Sequence, residues 1–157
     1  MDMDTHFEWI LFWGALVIGV QHPANSFAAW ISGFNVGSQT GFTDDPDGDG
    51  LKNGVENFLG TAPDAANAGL TPLTRSGNTF IFSHPQSASE ASDIAAVNYK
   101  WSTDLQTFHA SGAPAGGITV NLLPALHTPS AGITTVSATV TGAMPPGLFV
   151  RLEVTRQ

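Results

Sequence analysis

The residues of this sequence best suited to chemistry are acidic and lie close together in the chain. Five of the 13 acidic residues fall within residues 44–56: Asp44, Asp45, Asp47, Asp49 and Glu56. Carboxylates at this density repel one another unless a cation lies among them. From Asp45 to Glu56 the stretch also fills the pattern D-x-[DN]-x-[DN]-G-x5-E without a gap. The pattern predicts a loop that binds a hard divalent cation.

The spacing of these residues has a geometric reason. A chain that winds around a cation offers side-chain oxygens from loop positions 1, 3 and 5, a backbone carbonyl from position 7 and both carboxylate oxygens from position 12. Gly50, at position 6, permits the sharp turn. Six or seven oxygens at roughly 2.3–2.6 Å suit Ca²⁺ better than Mg²⁺. The candidate ligands are therefore Asp45, Asp47, Asp49, the carbonyl of Leu51, Asn53 (directly or through a water) and Glu56.

The sequence of the loop favours a structural role for the bound ion over a signalling role. The alternative interpretation is an acidic surface turn, but a turn does not require acidic residues at three alternate positions and again at the twelfth. The sequence holds one such loop, whereas sensors usually pair two, and position 8, apolar in paired loops, is Lys52. We therefore expect a bound Ca²⁺ to brace the fold.

Residues 1–24 contain a hydrophobic run. Residues 9–20 carry no charge, and this length is short for crossing a bilayer but typical of a signal-peptide core. No Lys or Arg precedes the run, and His22 stands where a small residue is preferred before cleavage after Ala24. We interpret residues 1–24 as a hydrophobic leader, with a retained membrane anchor, a membrane-surface helix and a buried helix as alternatives.

Two short helices are expected on either side of the acidic loop. Residues 25–34 place apolar side chains at helical spacing behind a cap at Asn25 or Ser26. After the loop, a second helical pattern stops at Gly60. Residues 25–66 are therefore predicted to form a helix–calcium-loop–helix module, and residues 61–73 a linker.

From residue 79 onward the hydrophobic period is two. Five short alternating runs are separated by turns rich in Gly, Pro and Ser, which predicts an antiparallel β-sandwich over residues 67–157. The whole chain is thus expected to be mainly β, with the helical module and an N-terminal hydrophobic helix ahead of the sandwich. The alternating runs contain Phe80 and Phe82, then Val97, Tyr99 and Trp101, then Ile118, Val120 and Leu122, then Val136 and Val140, then Leu148, Val150, Leu152 and Val154.

Composition excludes several classes of function. The chain has 157 residues with a formal net charge of −8 and only 5 Lys+Arg, which argues against a nucleic-acid partner because Lys and Arg must neutralise phosphate. It has no cysteine, which removes disulfides, thiolate catalysis and cysteine-ligated metals.

Catalytic signatures are missing from the sequence as well. It holds no H-E-x-x-H, G-x-S-x-G, P-loop or dinucleotide fingerprint. His84 and His109 are expected to be exposed polar residues, and Asp93 and Asp104 to be solvated surface carboxylates. The sequence therefore predicts a protein that is not an enzyme.

The run from Asp44 to Thr61 resembles the calcium motif of thrombospondin type 3 repeats. It is most similar to the single-copy form found in many secreted bacterial proteins, in which an aromatic helix precedes the loop and a β-domain follows. Segments similar to residues 99–108 and 148–154 are typical of that β-domain. The resemblance covers residues 25–157 and implies calcium binding, a secreted or cell-surface location and no activity of its own.

Three functions follow from these patterns. The first is a calcium-braced structural or adhesion module. The second is a carbohydrate-binding module, for which the aromatic side chains Tyr99, Trp101, Phe108 and Phe149 are candidates, although the alternation places Tyr99 and Trp101 on the core face. The third is a membrane-anchored accessory subunit, which requires that residues 9–20 be retained. Expected partners are calcium and either a surface glycan or another protein.

Overall fold

The computed structural model describes residues 25–67 and 73–157. The predicted N-terminal hydrophobic helix lies outside these residues. Within them, no helix has the length and apolar character needed to cross a membrane. The helices and strands are α1 (Phe27–Ile31), α2 (Asn53–Leu59), β1 (Leu73–Ser76), β2 (Thr79–Pro85), β3 (Ile94–Ser102), β4 (His109–Ala110), β5 (Pro114–Ala115), β6 (Ile118–Ala125), β7 (Ile133–Thr141) and β8 (Phe149–Arg156).

The strands pair antiparallel in two sheets. One sheet has the order β1-β2-β7-β6-β5 and the other the order β4-β3-β8. The prediction of a mainly β chain with antiparallel sheets is confirmed, and each of the five alternating runs falls on a strand, except that β8 begins one residue after Leu148. The sequence missed β1, β4 and β5, because strands of two to four residues are too short to show a period.

The largest hydrophobic cluster draws on both sheets. Trp101 from β3 is 1% exposed, and Val120 and Val136 from the five-stranded sheet are fully buried. Tyr99 joins the same cluster, so the prediction that Tyr99 and Trp101 face the core is confirmed. The Trp101 indole N–H also donates a hydrogen bond to the Ala110 carbonyl, which satisfies its polar atom inside the cluster.

Helix α1 forms a second, smaller cluster. The Ser26 hydroxyl accepts a hydrogen bond from the Ala29 N–H, so Ser26 is the cap. Phe27 and Ile31, one turn apart, are buried against Val36 and Ala91. Since Ala91 belongs to the β2–β3 connection, α1 packs against the β-domain.

Helix α2 is held against the same connection by two hydrogen bonds, one accepted by a side chain of α2 and one by its backbone. The Ala91 N–H donates to the buried Asn57 Oδ1 at 2.9 Å, and the Ser87 N–H donates to the Phe58 carbonyl at 2.8 Å. The helix ends where Gly60 adopts a φ of 76°, as its sequence predicts. The acidic loop therefore leads into a helix that is fixed to the β-domain.

His84 is buried, at 7% exposure, so its assignment as an exposed residue was wrong. Its Nε2 lies 2.7 Å from the Tyr99 hydroxyl and its Nδ1 lies 2.6 Å from the Pro85 carbonyl. Since a carbonyl can only accept, Nδ1 carries the proton and Nε2 accepts from Tyr99. Burial lowers the pKa of His84 and raises the pKa of Tyr99 to about 12. The sequence did not reveal this burial because it comes from the tertiary structure, in which Phe58 of α2 packs over the ring of His84.

The close contact between α2 and the residues before the loop yields a stability prediction. A Cβ on Gly54 would lie 2.3 Å from the Phe42 ring. We expect Gly54→Ala to lower the free energy of unfolding by up to about 2 kcal/mol, because overpacking costs about 1–3 kcal/mol and the gain in helix propensity offsets about 1 kcal/mol of it. Urea unfolding measures this difference.

Gly132→Ala is the matched control, since a Cβ at Gly132 meets nothing within 4 Å. It should change stability by less than about 0.5 kcal/mol. Equal stability of the two variants would contradict the proposed packing of Gly54 against Phe42.

Candidate metal centre

The acidic loop lies between α1 and α2 and is closed at its base by backbone hydrogen bonds. The Asn53 N–H donates to the Asp44 carbonyl at 2.9 Å, and the Gly54 N–H donates to the Phe42 carbonyl at the same distance. These bonds hold the entering chain beside the first turn of α2. These backbone hydrogen bonds thus position the acidic side chains without a bound ligand.

Within the loop, the three aspartates fold the backbone around themselves. The Asp45 carboxylate accepts hydrogen bonds from the N–H groups of Gly48 and Gly50, at 3.0 and 3.1 Å. The backbone winds tightly at Gly50, whose φ of 93° only glycine adopts easily, as its loop position predicts. Asp47 accepts from the Asp49 N–H at 3.1 Å. Because these N–H groups bond to the aspartate carboxylates, the backbone of the loop winds around those side chains.

The structure brings Asp45, Asp47 and Asp49 together. One carboxylate oxygen from each lies within 4.8 Å of the others, as the ligands of a single ion would. Glu56 does not belong to that group of three. It is nevertheless fully buried on α2, and the nearby charges of the aspartates, after burial, contribute to raising its pKa.

The carboxyl group of Glu56 is the most perturbed acid of the loop. Burial, followed by the nearby charges of Asp47, Asp49 and Asp45, raises its pKa to about 7. Its Oε1 accepts from the Asn67 side-chain amide at 3.3 Å, with the Thr61 hydroxyl at 3.5 Å. Its Oε2 is buried and has no hydrogen-bond partner among the described residues.

Two more side-chain oxygens of the loop are buried without a partner in the described chain. They are Asp47 Oδ2 and Asn53 Oδ1. A buried acceptor left unsatisfied costs about 1–3 kcal/mol, and more when it is charged. Three such oxygens in one 12-residue loop fit a hard cation, which needs several oxygen ligands at once.

Basic side chains do not supply the missing positive charge. In the part of the chain that the structure describes, the ion pairs join Lys100 and Arg151 to Glu153, and Arg156 to Asp93. None involves a carboxylate of the loop. A proton or a bound cation would supply that charge.

Leu51 and Asn53, the two candidate ligands without a charge, occupy different environments. Leu51 is partly exposed, and its carbonyl accepts no hydrogen bond from the described residues. Asn53 is fully buried, and its Nδ2 donates to the carbonyls of Gln39 and Gly41, both at 2.9 Å. These bonds leave Asn53 Oδ1 as a free acceptor.

Sequence reasoning missed Asn67. Its backbone N–H donates to Asp49 Oδ2 at 2.7 Å, while its side chain reaches Glu56. Asn67 therefore connects the fifth and the twelfth positions of the loop from outside it. It lies 11 residues beyond Glu56, and no spacing rule predicts that the chain returns there.

The other acidic and histidine residues considered from the sequence do not form a second cluster within the described chain. Asp93 accepts from the Phe27 N–H and from Arg156, at 2.9 and 2.7 Å. Asp104 accepts from the N–H groups of Thr107 and Gln106, which lowers its pKa to about 2. His109 is half-buried on β4, where its ring packs against Trp101, so its assignment as an exposed residue was wrong. These contacts hold turns or pack side chains together, and they do not gather the residues into a second site within the described chain.

The raised pKa of Glu56 predicts how stability without calcium depends on pH. Between about pH 4.5 and pH 7 the folded carboxyl holds a proton that the unfolded chain has already lost, so stability falls as pH rises through this range. Glu56→Gln removes this titration. We expect the stability of the variant relative to wild type to rise with pH, by up to about 1.4 kcal/mol per pH unit. Urea unfolding in chelator across this range measures it.

Two features make this experiment specific. His84, whose pKa is lowered, acts with the opposite sign, because its neutral folded form is destabilised as pH falls below about 6.5. This effect is common to wild type and Glu56→Gln and cancels in their difference. Gly132→Ala, which keeps Glu56, is the control, and its stability relative to wild type should not change with pH. A constant difference for Glu56→Gln would contradict the raised pKa.

Comparison of the chain with models of known protein families, with curated proteins and with solved structures finds no match in any of the three.

Proposed function

We propose that this protein is a calcium-binding, non-catalytic module in which Ca²⁺ braces the junction between the helical segment and the β-domain. The observation that carries the proposal is the buried carboxylate of Glu56, with one unpartnered oxygen, beside three aspartates whose oxygens lie within 4.8 Å of one another. No basic side chain of the described residues pairs with these carboxylates. A divalent cation supplies both the missing charge and the missing contacts.

The residues that would hold the ion are those of the loop pattern. Asp45, Asp47 and Asp49 offer carboxylate oxygens, Leu51 offers its carbonyl, and Asn53 and Glu56 offer the free oxygens described above. Such an all-oxygen set is the ligand chemistry that Ca²⁺ prefers. Because Glu56 lies on α2, the ion would tie the loop to the helix that Asn57 and Phe58 fix to the β2–β3 connection.

The stabilisation follows from linkage. An ion that binds the folded chain and not the unfolded chain adds about 2.7 kcal/mol when its concentration is about 100 times the dissociation constant. Extracellular modules bind calcium with dissociation constants of about 10⁻⁴–10⁻³ M, in the range of calcium outside cells. A weak site would therefore be occupied there and would stabilise the fold continuously.

We further propose that the two sheets form a β-sandwich and that the protein acts outside the cell or at its surface. The shared core of Trp101, Val120 and Val136 supports a face-to-face arrangement of the sheets. The lack of cysteine gives a small secreted domain a reason to use a metal as its staple. The resemblance to thrombospondin type 3 calcium motifs and the hydrophobic run at residues 9–20 support the same setting.

The carbohydrate-binding alternative has less support. Tyr99 and Trp101 are buried in the core and cannot stack on a sugar. The Arg151 guanidinium lies over the Phe108 ring, 4.1 Å from its centroid. Of the four aromatic candidates, Phe149 is the exposed one, at 38%. A single ring does not make a sugar-stacking platform, and metal binding therefore remains the proposal.

Calcium titration of chelator-treated protein tests the proposal. We expect saturable binding of about one ion per chain and a melting temperature that rises by several degrees with calcium. Asp47→Asn keeps the shape of the side chain but removes its charge, and should weaken calcium binding by at least about tenfold. Calorimetry gives the affinity and a thermal melt gives the stabilisation.

Asp64→Asn is the matched control, because Asp64 is exposed and lies outside the loop. It should bind calcium like wild type. If calcium changes neither the heat of titration nor the melting temperature of wild type, the proposal is wrong. If Asp64→Asn loses as much affinity as Asp47→Asn, the ion does not bind at this loop.

A further inference from the structure

The two oxygens of the Glu56 carboxylate have different surroundings. Oε1 accepts from the Asn67 side-chain amide at 3.3 Å and lies 3.5 Å from the Thr61 hydroxyl. Oε2 is buried and has no hydrogen-bond partner among the described residues. The loop pattern, by contrast, predicts that the residue at position 12 gives both carboxylate oxygens to the ion. The structure thus leaves one oxygen of Glu56 available to an ion and places donors of the chain on the other.

The Asn67 amide is held in its orientation by a second acceptor. Its Nδ2 also donates to the Ala65 carbonyl, at 3.0 Å. An amide nitrogen has two N–H donors, and the Ala65 carbonyl and Glu56 Oε1 account for both. Turning the amide over would place its oxygen against a carbonyl and an ionised carboxylate, neither of which donates. Asn67 therefore faces Oε1 with a donor.

The backbone that carries this amide is itself fixed. Pro63 is fully buried, and the Ala65 N–H donates to the Ala62 carbonyl at 3.3 Å. The backbone N–H of Asn67 donates to Asp49 Oδ2 at 2.7 Å. The position of the amide is therefore set by the surrounding chain as well as by its bond to Oε1.

We propose that Asn67 sets the ion selectivity of the loop, because it binds Oε1 and leaves Glu56 a single oxygen for the ion. This inference rests on the proposed calcium site. The loop then offers six oxygens, which come from Asp45, Asp47, Asp49, the Leu51 carbonyl, Asn53 Oδ1 and Glu56 Oε2. Six oxygens fit the octahedral shell of Mg²⁺ as well as Ca²⁺, whereas a seventh is accepted only by Ca²⁺. Asn67 thereby narrows the preference for Ca²⁺ over Mg²⁺.

Asn67→Ala tests this role, because it removes the side-chain amide and keeps the backbone N–H that binds Asp49. Loss of a residue that orients a metal-binding carboxylate weakens binding by about 10–100-fold. We expect such a loss for Mg²⁺ and a smaller one for Ca²⁺, since the released Oε1 becomes a seventh ligand. The dissociation constant for Mg²⁺ divided by that for Ca²⁺ should rise by about threefold or more. Calorimetric titration of the chelator-treated full chain with each ion alone measures both constants.

Asn98→Ala is the matched control, because Asn98 is exposed on β3 and lies outside the loop. Its ratio of dissociation constants should equal that of wild type. A substitution that only destabilises the fold weakens both ions alike and leaves the ratio unchanged. An unchanged ratio in Asn67→Ala therefore overturns the inference. The proposed calcium site still stands in that case if wild type binds calcium and Asp47→Asn binds it more weakly.

A second measurement needs no variant. In protein with ¹³C-labelled glutamate, the infrared difference between calcium-loaded and chelator-treated samples reports on Glu56, the only glutamate of the loop. The two carboxylate stretching bands lie farther apart when one oxygen binds the ion than when both do. We expect the wide separation in wild type and the narrow one in Asn67→Ala. A narrow separation in wild type, or no calcium binding by wild type, also overturns the inference.

Discussion

The main constraint on the acidic loop is the free-energy cost of placing the Glu56 carboxylate in a buried site beside three aspartates. Burial and like charge act in the same direction on this group, and together they raise its pKa to about 7. Near neutral pH the loop must therefore hold a proton, accept a cation or lose stability. The aspartates cannot relieve the conflict by turning away, because the backbone N–H groups of residues 48–51 hold them inward.

Helix α2 connects the acidic loop to the β-domain. Glu56, Asn57 and Phe58 are consecutive, so the residue that completes the acidic cluster is followed by the residues that bind the β2–β3 connection. Phe58 also packs over His84, which hydrogen-bonds to Tyr99 in the main core. An ion bound at the loop would thus stabilise a continuous path of buried contacts from the loop to the core. The proposed role of calcium as a brace follows from this continuity.

Local patterns in the sequence were sufficient for much of the fold. A cap at Asn25 or Ser26, the stop at Gly60 and the five longer strands were all predicted, because each depends on residues within a few positions of one another, and the structure places the cap at Ser26. The burial of His84 was not, because it depends on Phe58, which is 26 positions away in the chain and packs over the ring. The short strand β1, which begins at the last residue of the region predicted as a linker, was missed because four residues, all of them exposed, are too few to show a hydrophobic period.

For the site, the sequence by itself determined the identity and order of the candidate ligands. Alternate aspartates, Gly50 and Glu56 at the twelfth position are a local pattern, and local patterns can be recognised without a fold. The tertiary structure alone decided that Glu56 is buried, that Asn67 returns to the loop and that three oxygens remain without partners. It also decided that β8 lies at an edge of its sheet. The physical reason is that burial and strand order depend on contacts between residues far apart in the chain, and these are specified by the packing of the whole molecule.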